Sequence, residues 1–255
     1  VSFQPDFIWF KNRTIVGDHG LFDAIRGVTK YLQSNNSSTG LTGNGTSTDF
    51  LSFDTNGFTY GVNSQLDVAS GTPCTWLWKA NGAGSANTDG TINTTVSVNT
   101  TSGFSIVKWT GNSTAGQTIG HGLGVTPKVV IIKRLSGSAQ SWICKFPTAT
   151  DGYLALDTSD AVNASSGWLP VSSSLITLAN NWSAYNNNGN DFIAYCFAEK
   201  QGYSKFSKYT GNGNADGTFV YTGFKPAFVM VKRTDHPNPC AIYDNKRNGF
   251  NTENN

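Results

Sequence analysis

A proline, a spacer, four apolar residues and a lysine recur three times along this chain. Pro5-Asp6-Phe7-Ile8-Trp9-Phe10-Lys11 returns as Pro127-Lys128-Val129-Val130-Ile131-Ile132-Lys133 and as Pro226-Ala227-Phe228-Val229-Met230-Val231-Lys232. The prolines stand at 5, 127 and 226, so the spacings are 122 and 99 residues. A strand with one wet face alternates apolar and polar residues, whereas a run apolar at every position is covered on both faces. Each proline-led run is therefore predicted to be a strand buried on two sides. One side faces a sandwich core, and the other a neighbouring repeat, a covering loop or a second subunit. Proline fits the first position of such a strand, where no ladder donor is needed. The lysine is expected to lay its stem on apolar surface and keep its charge in water.

Other landmarks keep the same register. Lys108-Trp109-Thr110-Gly111-Asn112 recurs as Lys208-Tyr209-Thr210-Gly211-Asn212, and Trp76-Leu77-Trp78 matches Tyr195-Cys196-Phe197. Asp23 with Arg26, and Asp244 with Arg247, are spaced to pair across a tight turn, whereas the second copy has Lys145 and Thr148 there. One unit reads as a strand ending at Thr-Gly-Asn, a Gly-rich turn, the proline-led strand and a return strand near 21–25 or 142–144. A short strand at 31–32 or 153–156, a strand at 57–60 or 175–178 and an aromatic closing strand follow. About seven short strands per unit with frequent turn signals predict an all-β fold of tandem antiparallel β-sandwich, jelly-roll-like repeats. The predicted boundaries are 1–80 for a first repeat without its leading strand, 81–103 for a Gly/Asn/Thr-rich bridge, 104–203 for a second repeat and 204–255 for a partial third that stops before its closing strand.

Composition narrows the function classes. Charged residues make up 13% of the chain, about half the ordinary share, so Asn, Ser, Thr and Gly must carry the surface. Glu199 and Glu253 are the two glutamates, and good helix formers are scarce. A net charge of +2 is too weak for a nucleic-acid footprint. No apolar run approaches the ~20 residues of a membrane helix, so no membrane insertion is expected. The start at Val1 reads as a cropped or processed N-terminus. Cys74, Cys144, Cys196 and Cys240 include no C-x-x-C pair, so zinc is not expected. They read as buried free thiols, with a Cys144–Cys196 disulfide as the alternative. The N-x-S/T sequons, such as Asn93-Thr94-Thr95, follow from the richness in Asn, Ser and Thr.

Candidate chemistry is sparse. His19, His121 and His236 do not align between copies, which argues against a shared metal site or a Ser-His-Asp triad. Asp18, Asp23, Asp54, Asp67, Asp151, Asp157 and Asp160 nearly all sit in turn-like contexts, where Asp serves local backbone bonding. They do not read as the carboxylate pair of a glycosidase. The run at 211–217 reads as a hairpin turn rather than a calcium loop. Trp9, Trp76 and Trp78 belong to strands and to packing. Trp168 and Trp182 lie in loop-rich stretches and are the candidates for a glycan contact. The expectation is thus no catalytic residue, no metal and no cofactor.

Longer motifs carry a resemblance. They include Asn87-Thr88-Asp89-Gly90-Thr91-Ile92, Asn99-Thr100-Thr101-Ser102-Gly103-Phe104, Ile119-Gly120-His121-Gly122-Leu123-Gly124-Val125-Thr126-Pro127, Ala194-Tyr195-Cys196-Phe197-Ala198-Glu199 and Phe219-Val220-Tyr221-Thr222-Gly223-Phe224-Lys225-Pro226. Across nearly the whole chain the sequence resembles the uncharacterised β-repeat domain of marine bacteriophage tail-fibre-like virion proteins. The resemblance implies a non-enzymatic virion structural protein, a tail-fibre or tail-appendage component that contacts the host surface and is assembled in the host cytoplasm. Its implied partners are other virion proteins, further copies of itself (a homotrimer first) and a host-surface glycan. A capsid-surface decoration or fibre protein is the alternative within virions, and a secreted lectin-like adhesin the alternative outside them.

Overall fold

The computed structural model describes residues 1–42, 50–61, 71–147, 152–164 and 169–247. Every element among them is a strand. The first region contributes β1 (Phe7–Asn12), β2 (Gly20–Asp23), β3 (Lys30–Tyr31), β4 (Leu41–Thr42), β5 (Phe50–Asp54), β6 (Gly57–Tyr60) and β7 (Pro73–Trp78). There follow β8 (Ser85–Asn87), β9 (Thr94–Asn99), β10 (Phe104–Thr110), β11 (Gln117–Gly120) and β12 (Val129–Arg134). The chain continues with β13 (Ile143–Lys145), β14 (Leu154–Ala155), β15 (Leu175–Leu178), β16 (Asp191–Phe197), β17 (Phe228–Val231) and β18 (Ala241–Asp244). The fold is all-β, with antiparallel sheets stacked face to face. Among the described residues no helix is long and apolar enough to cross a membrane.

The proline-led runs form β1, β12 and β17. β1 lies at the centre of the sheet β2-β1-β7, and β12 lies inside the seven-stranded sheet β14-β13-β12-β16-β10-β9-β8. β17 pairs with β18. The registers correspond. In the first two, the residue two after the proline opposes the second aromatic of the closing strand, as Phe7 opposes Trp78 and Val129 opposes Phe197. The residue four after opposes the first, as Trp9 opposes Trp76 and Ile131 opposes Tyr195.

Strand alternation then decides which cluster each side chain enters. Phe7, Trp9, Val129 and Ile131 enter one central cluster with Trp76, Phe104, Trp142 and Tyr195, and Phe228 and Met230 pack against it. This cluster draws on residues 1–80, 104–203 and 204–255 alike. Phe7 stacks on Tyr195 with ring centroids 4.2 Å apart and lies 5.3 Å from Trp78. Such pairs add about 0.5–1.5 kcal/mol beyond the area they bury.

The opposite faces have different covers. Ile8 and Phe10 are buried under Phe50 and the β5–β6 hairpin. Val130 and Ile132 are buried under Ile119, Ile176 and Leu178 of the β11–β15 pair, with Leu169 and Tyr185. Two-sided burial of the first two proline strands is thus achieved inside one chain. The third differs: Val229 on its outer face is 38% exposed.

Several expectations need correction. Residues 81–103, read as a bridge, contribute β8 and β9 to the large sheet, because Val96 and Val98 alternate with polar neighbours and pack onto the core beside Leu123. Residues 208–212, matched to the end of β10, form no strand, and the Asn/Gly run at 211–217 is not a hairpin. Asn212 and Asn214 there accept backbone N–H bonds in successive turns. A strand needs a neighbour, and β10 has β16 whereas 208–212 has none among the described residues. Landmark glycines mark close backbone approach. A Cβ at Gly120 would stand 1.9 Å from Asn87 Oδ1, and one at Gly111 would stand 2.6 Å from the Asn187 carbonyl oxygen.

Candidate functional site

The most developed polar chemistry lies where the first, second and third regions meet. Asp23 ends β2 and is fully buried. Its carboxylate accepts the Arg26 backbone N–H at 2.9 Å, Arg26 Nε at 2.5 Å and the Tyr195 hydroxyl at 2.8 Å. Arg26 also donates to the Leu21 carbonyl at 2.9 Å. Burial opposes the charge of Arg26, but Asp23 and Tyr195 outweigh it and raise the guanidinium pKa. Burial, reinforced by Asp23, pushes the Tyr195 phenol well above its usual value, so it stays a donor.

The end of β18 repeats this arrangement. Asp244 accepts the Arg247 backbone N–H at 2.9 Å and Arg247 Nε at 2.6 Å, while Arg247 donates to the Ile242 carbonyl. The place of Tyr195 is taken by Trp76, whose Nε1 donates to Asp244 at 3.2 Å. The guanidinium also lies 5.4 Å above the Trp76 ring, a favourable cation–π position. The expected Asp–Arg pairs therefore form, and each also grips the closing strand of another region. The sequence reading missed that second role of Tyr195 and Trp76. The available signal was their equivalent place in the aligned closing strands, where both carry an aromatic ring with a donor at its tip.

The lysines that end the proline strands serve the loops that follow. Lys11 Nζ donates to the Gly17 carbonyl, Lys133 to Gln140 and Lys232 to Asn238 and Thr158. The expectation that their charges stay in water fails at Lys133, which is fully buried with its ammonium 5.4 Å above the Trp142 ring. Burial lowers its pKa to about 8, with Asp157 acting in the opposite direction.

His19 and His121 serve structural roles in separate places. His19 Nδ1 accepts the Trp9 indole N–H at 2.8 Å, and burial followed by Lys11 brings its pKa down to about 4. Buried His121 accepts Leu123 N–H at Nδ1, which leaves Nε2–H to donate to the Ser172 carbonyl. Burial lowers its pKa as well. Among the described residues no three His, Cys, Asp or Glu side chains gather to hold a metal ion.

The thiols are free. Cys144 and Cys196 flank β12 on β13 and β16 and point into opposite clusters. Strands two places apart lie about 9–10 Å from each other, beyond disulfide reach, which rules out the alternative bridge. The aspartates serve local acceptor roles. Asp18 binds the Gln33 and Asn35 amides, Asp54 the Ser52 and Thr59 hydroxyls, Asp157 the Trp142 N–H and Asp160 the Thr158 hydroxyl. Asp67 and Asp151 lie outside the described residues.

A cleft of about 440 Å³ opens beside the second region. Tyr153, Ala155 and Val162 give it apolar walls, and Ser141, Asp160 and Asn163 supply polar groups. Trp182 stands behind this wall with its ring centroid 5.0 Å from Tyr153, edge-on to Tyr185. Of the two predicted glycan residues, Trp182 therefore supports the cleft wall, while Trp168 lies outside the described residues.

No curated protein and no solved structure matches this chain. A family does: residues 1–255 match a domain of unknown function, DUF7483. With its whole length matched, the chain belongs to the DUF7483 family.

Proposed function

We propose that this chain is a non-enzymatic structural component of a bacteriophage virion, built from tandem repeats and forming part of a tail fibre or related appendage. The observation that carries the reading is the central aromatic cluster fed by all three proline-led strands. The two Asp–Arg corners tie the same regions together through Tyr195 and Trp76. The weakly charged surface suits an external particle component in repeated contact with itself, and a homotrimer is the proposed assembly.

The cleft at Tyr153 supports a contact with a host-surface glycan. Its size suits a small ligand, and it joins an aromatic wall to polar groups, as sugar rings require. The same cleft favours the second reading, a lectin-like glycan-binding adhesin. A capsid-surface decoration protein is the remaining alternative within virions.

Immunogold labelling of purified particles with antibodies against this chain tests the proposal. Label on the tail or its appendages is the expected result. Label on the capsid moves the protein to the decoration reading. Particles that carry no label, beside a free secreted protein that binds glycan, overturn the virion role.

A further inference from the structure

The cleft beside the second region has a fixed frame. Tyr153 and Asn163 face each other across an antiparallel bridge. Tyr153 N–H donates to the Asn163 carbonyl at 3.1 Å, and Asn163 N–H to the Tyr153 carbonyl at 3.0 Å. A Cβ at Gly152 would stand 2.4 Å from the Asn163 carbonyl oxygen, so glycine permits this close approach. The segment 158–162, which lines the same cleft, is tied to the third region. Lys232 Nζ donates to the Thr158 carbonyl at 2.6 Å, Asn238 N–H to the Ser159 carbonyl at 2.6 Å and Val162 N–H to the Thr234 carbonyl at 2.9 Å.

The polar groups in this frame are few and differ in kind. Asp160 carries the one charge among the described lining residues. Its Oδ2 accepts the Thr158 hydroxyl at 2.8 Å, and its Oδ1 has no hydrogen-bond partner among the described residues. The Tyr153 hydroxyl accepts Asn163 Nδ2–H at 3.3 Å, which leaves its own proton to donate. Burial, then Asp160, raises the Tyr153 pKa, so that proton is retained. The Tyr153 ring, backed by Trp182, supplies a flat apolar wall beside Ala155 and Val162.

A pyranose ring matches this set. Its C–H face suits an aromatic wall, one hydroxyl can donate to a carboxylate and the next can accept from a phenol. A uronic or sialic acid would bring a second carboxylate to a cleft whose one charge is already negative, and like charges in contact cost affinity. Recognition of an organic cation uses several aromatic faces, whereas Tyr153 is the one ring among the described lining residues.

We propose, building on the glycan contact above, that this cleft binds one uncharged pyranose residue and rejects acidic sugars, with Asp160 as the residue that makes the choice. Asp160 Oδ1 accepts from one sugar hydroxyl, the Tyr153 hydroxyl donates to its neighbour, and the ring carbons pack on the Tyr153 face.

Matched methyl glycosides test the choice: glucoside against glucuronide, galactoside against galacturonide, and mannoside against mannuronide. The members of a pair differ at a single carbon, hydroxymethyl in one and carboxylate in the other. Titration of the 255-residue protein, followed by amide NMR shifts, reads affinity and place together. The expected result is saturable binding of at least one neutral glycoside, with shifts centred on Gly152–Asn163 and affinity for its acidic partner at least about tenfold weaker. Asp160 is exposed, and Asp160→Asn keeps an acceptor for Thr158, so this variant should fold and should bring the pair to within about threefold of each other. An acidic sugar that binds as well as its neutral partner, or a gap that persists in Asp160→Asn, overturns the inference and leaves a glycan site in place. Shifts centred elsewhere on the protein overturn it as well. Binding of none of these glycosides at about 100 mM removes the glycan contact itself, and the inference with it.

Discussion

The two Asp–Arg corners use one design at two depths. At the first, the Arg26 and Asp23 side chains are 2% and 0% exposed; at the second, Arg247 and Asp244 are 29% and 5% exposed. The bonds match almost one for one, down to the carbonyl five residues before each arginine. Only the surroundings differ. A buried ion pair owes its importance to the cost of leaving one partner alone, whereas water compensates a partly exposed one. The same sequence pattern should therefore be critical in one place and replaceable in the other.

The largest test of this contrast is Arg26→Met against Arg247→Met in urea unfolding. Removing Arg26 strands a buried carboxylate and should cost about 3–5 kcal/mol, while removing Arg247 should cost roughly 1 kcal/mol. Equal losses would show that depth does not set the difference. Tyr195→Phe should come next. It keeps the ring stack on Phe7 and deletes one donor to a charged acceptor, worth about 2 kcal/mol. In the Arg26→Met background its cost should change sharply, and simple additivity would argue against a single coupled corner.

The smallest effect sharpens the contrast by pH. His19 folds with a pKa of about 4 against an ordinary 6.5. Between those values the unfolded chain binds more protons, so stability is full above about pH 6.5 and falls as pH drops toward 4. The loss should reach about 1 kcal/mol by pH 5.5 and should vanish in His19→Phe. Arg247 is one of the groups holding the His19 pKa down. Arg247→Met should therefore shift this transition slightly upward, as followed by stability curves across pH 4–7.

Much of the strand content was legible in the sequence, because a run apolar at every position cannot tolerate a wet face. Phe7 to Phe10 and Val129 to Ile132 are covered on both sides. The aligned aromatics proved to share one register, and the Asp-x-x-Arg spacing proved to mark a paired turn. Less local facts were not legible. Periodicity says that Phe7 and Trp9 share a face but not that Tyr195 covers it. The match between Lys208-Tyr209-Thr210 and Lys108-Trp109-Thr110 predicts a strand, yet a strand also requires a partner that local sequence does not name. Lys133 looked like a surface lysine because its type usually is. Its burial follows from Trp142 and Gln140 closing over it. Within the candidate cleft, Trp182 was legible as an aromatic near a loop, but its role behind Tyr153 depends on a contact between distant segments.

The central cluster has a consequence for how the molecule is made. The bond between Tyr195 and Asp23 joins residues 172 apart, and that between Trp76 and Asp244 joins residues 168 apart. At about 5–20 residues per second, a growing chain carries Phe7 and Trp9 for roughly 9–38 seconds before Tyr195 is even synthesised. β1 is thus made well before the strand that seals it. During that interval an aromatic strand depends on chaperones or on its own loops for cover.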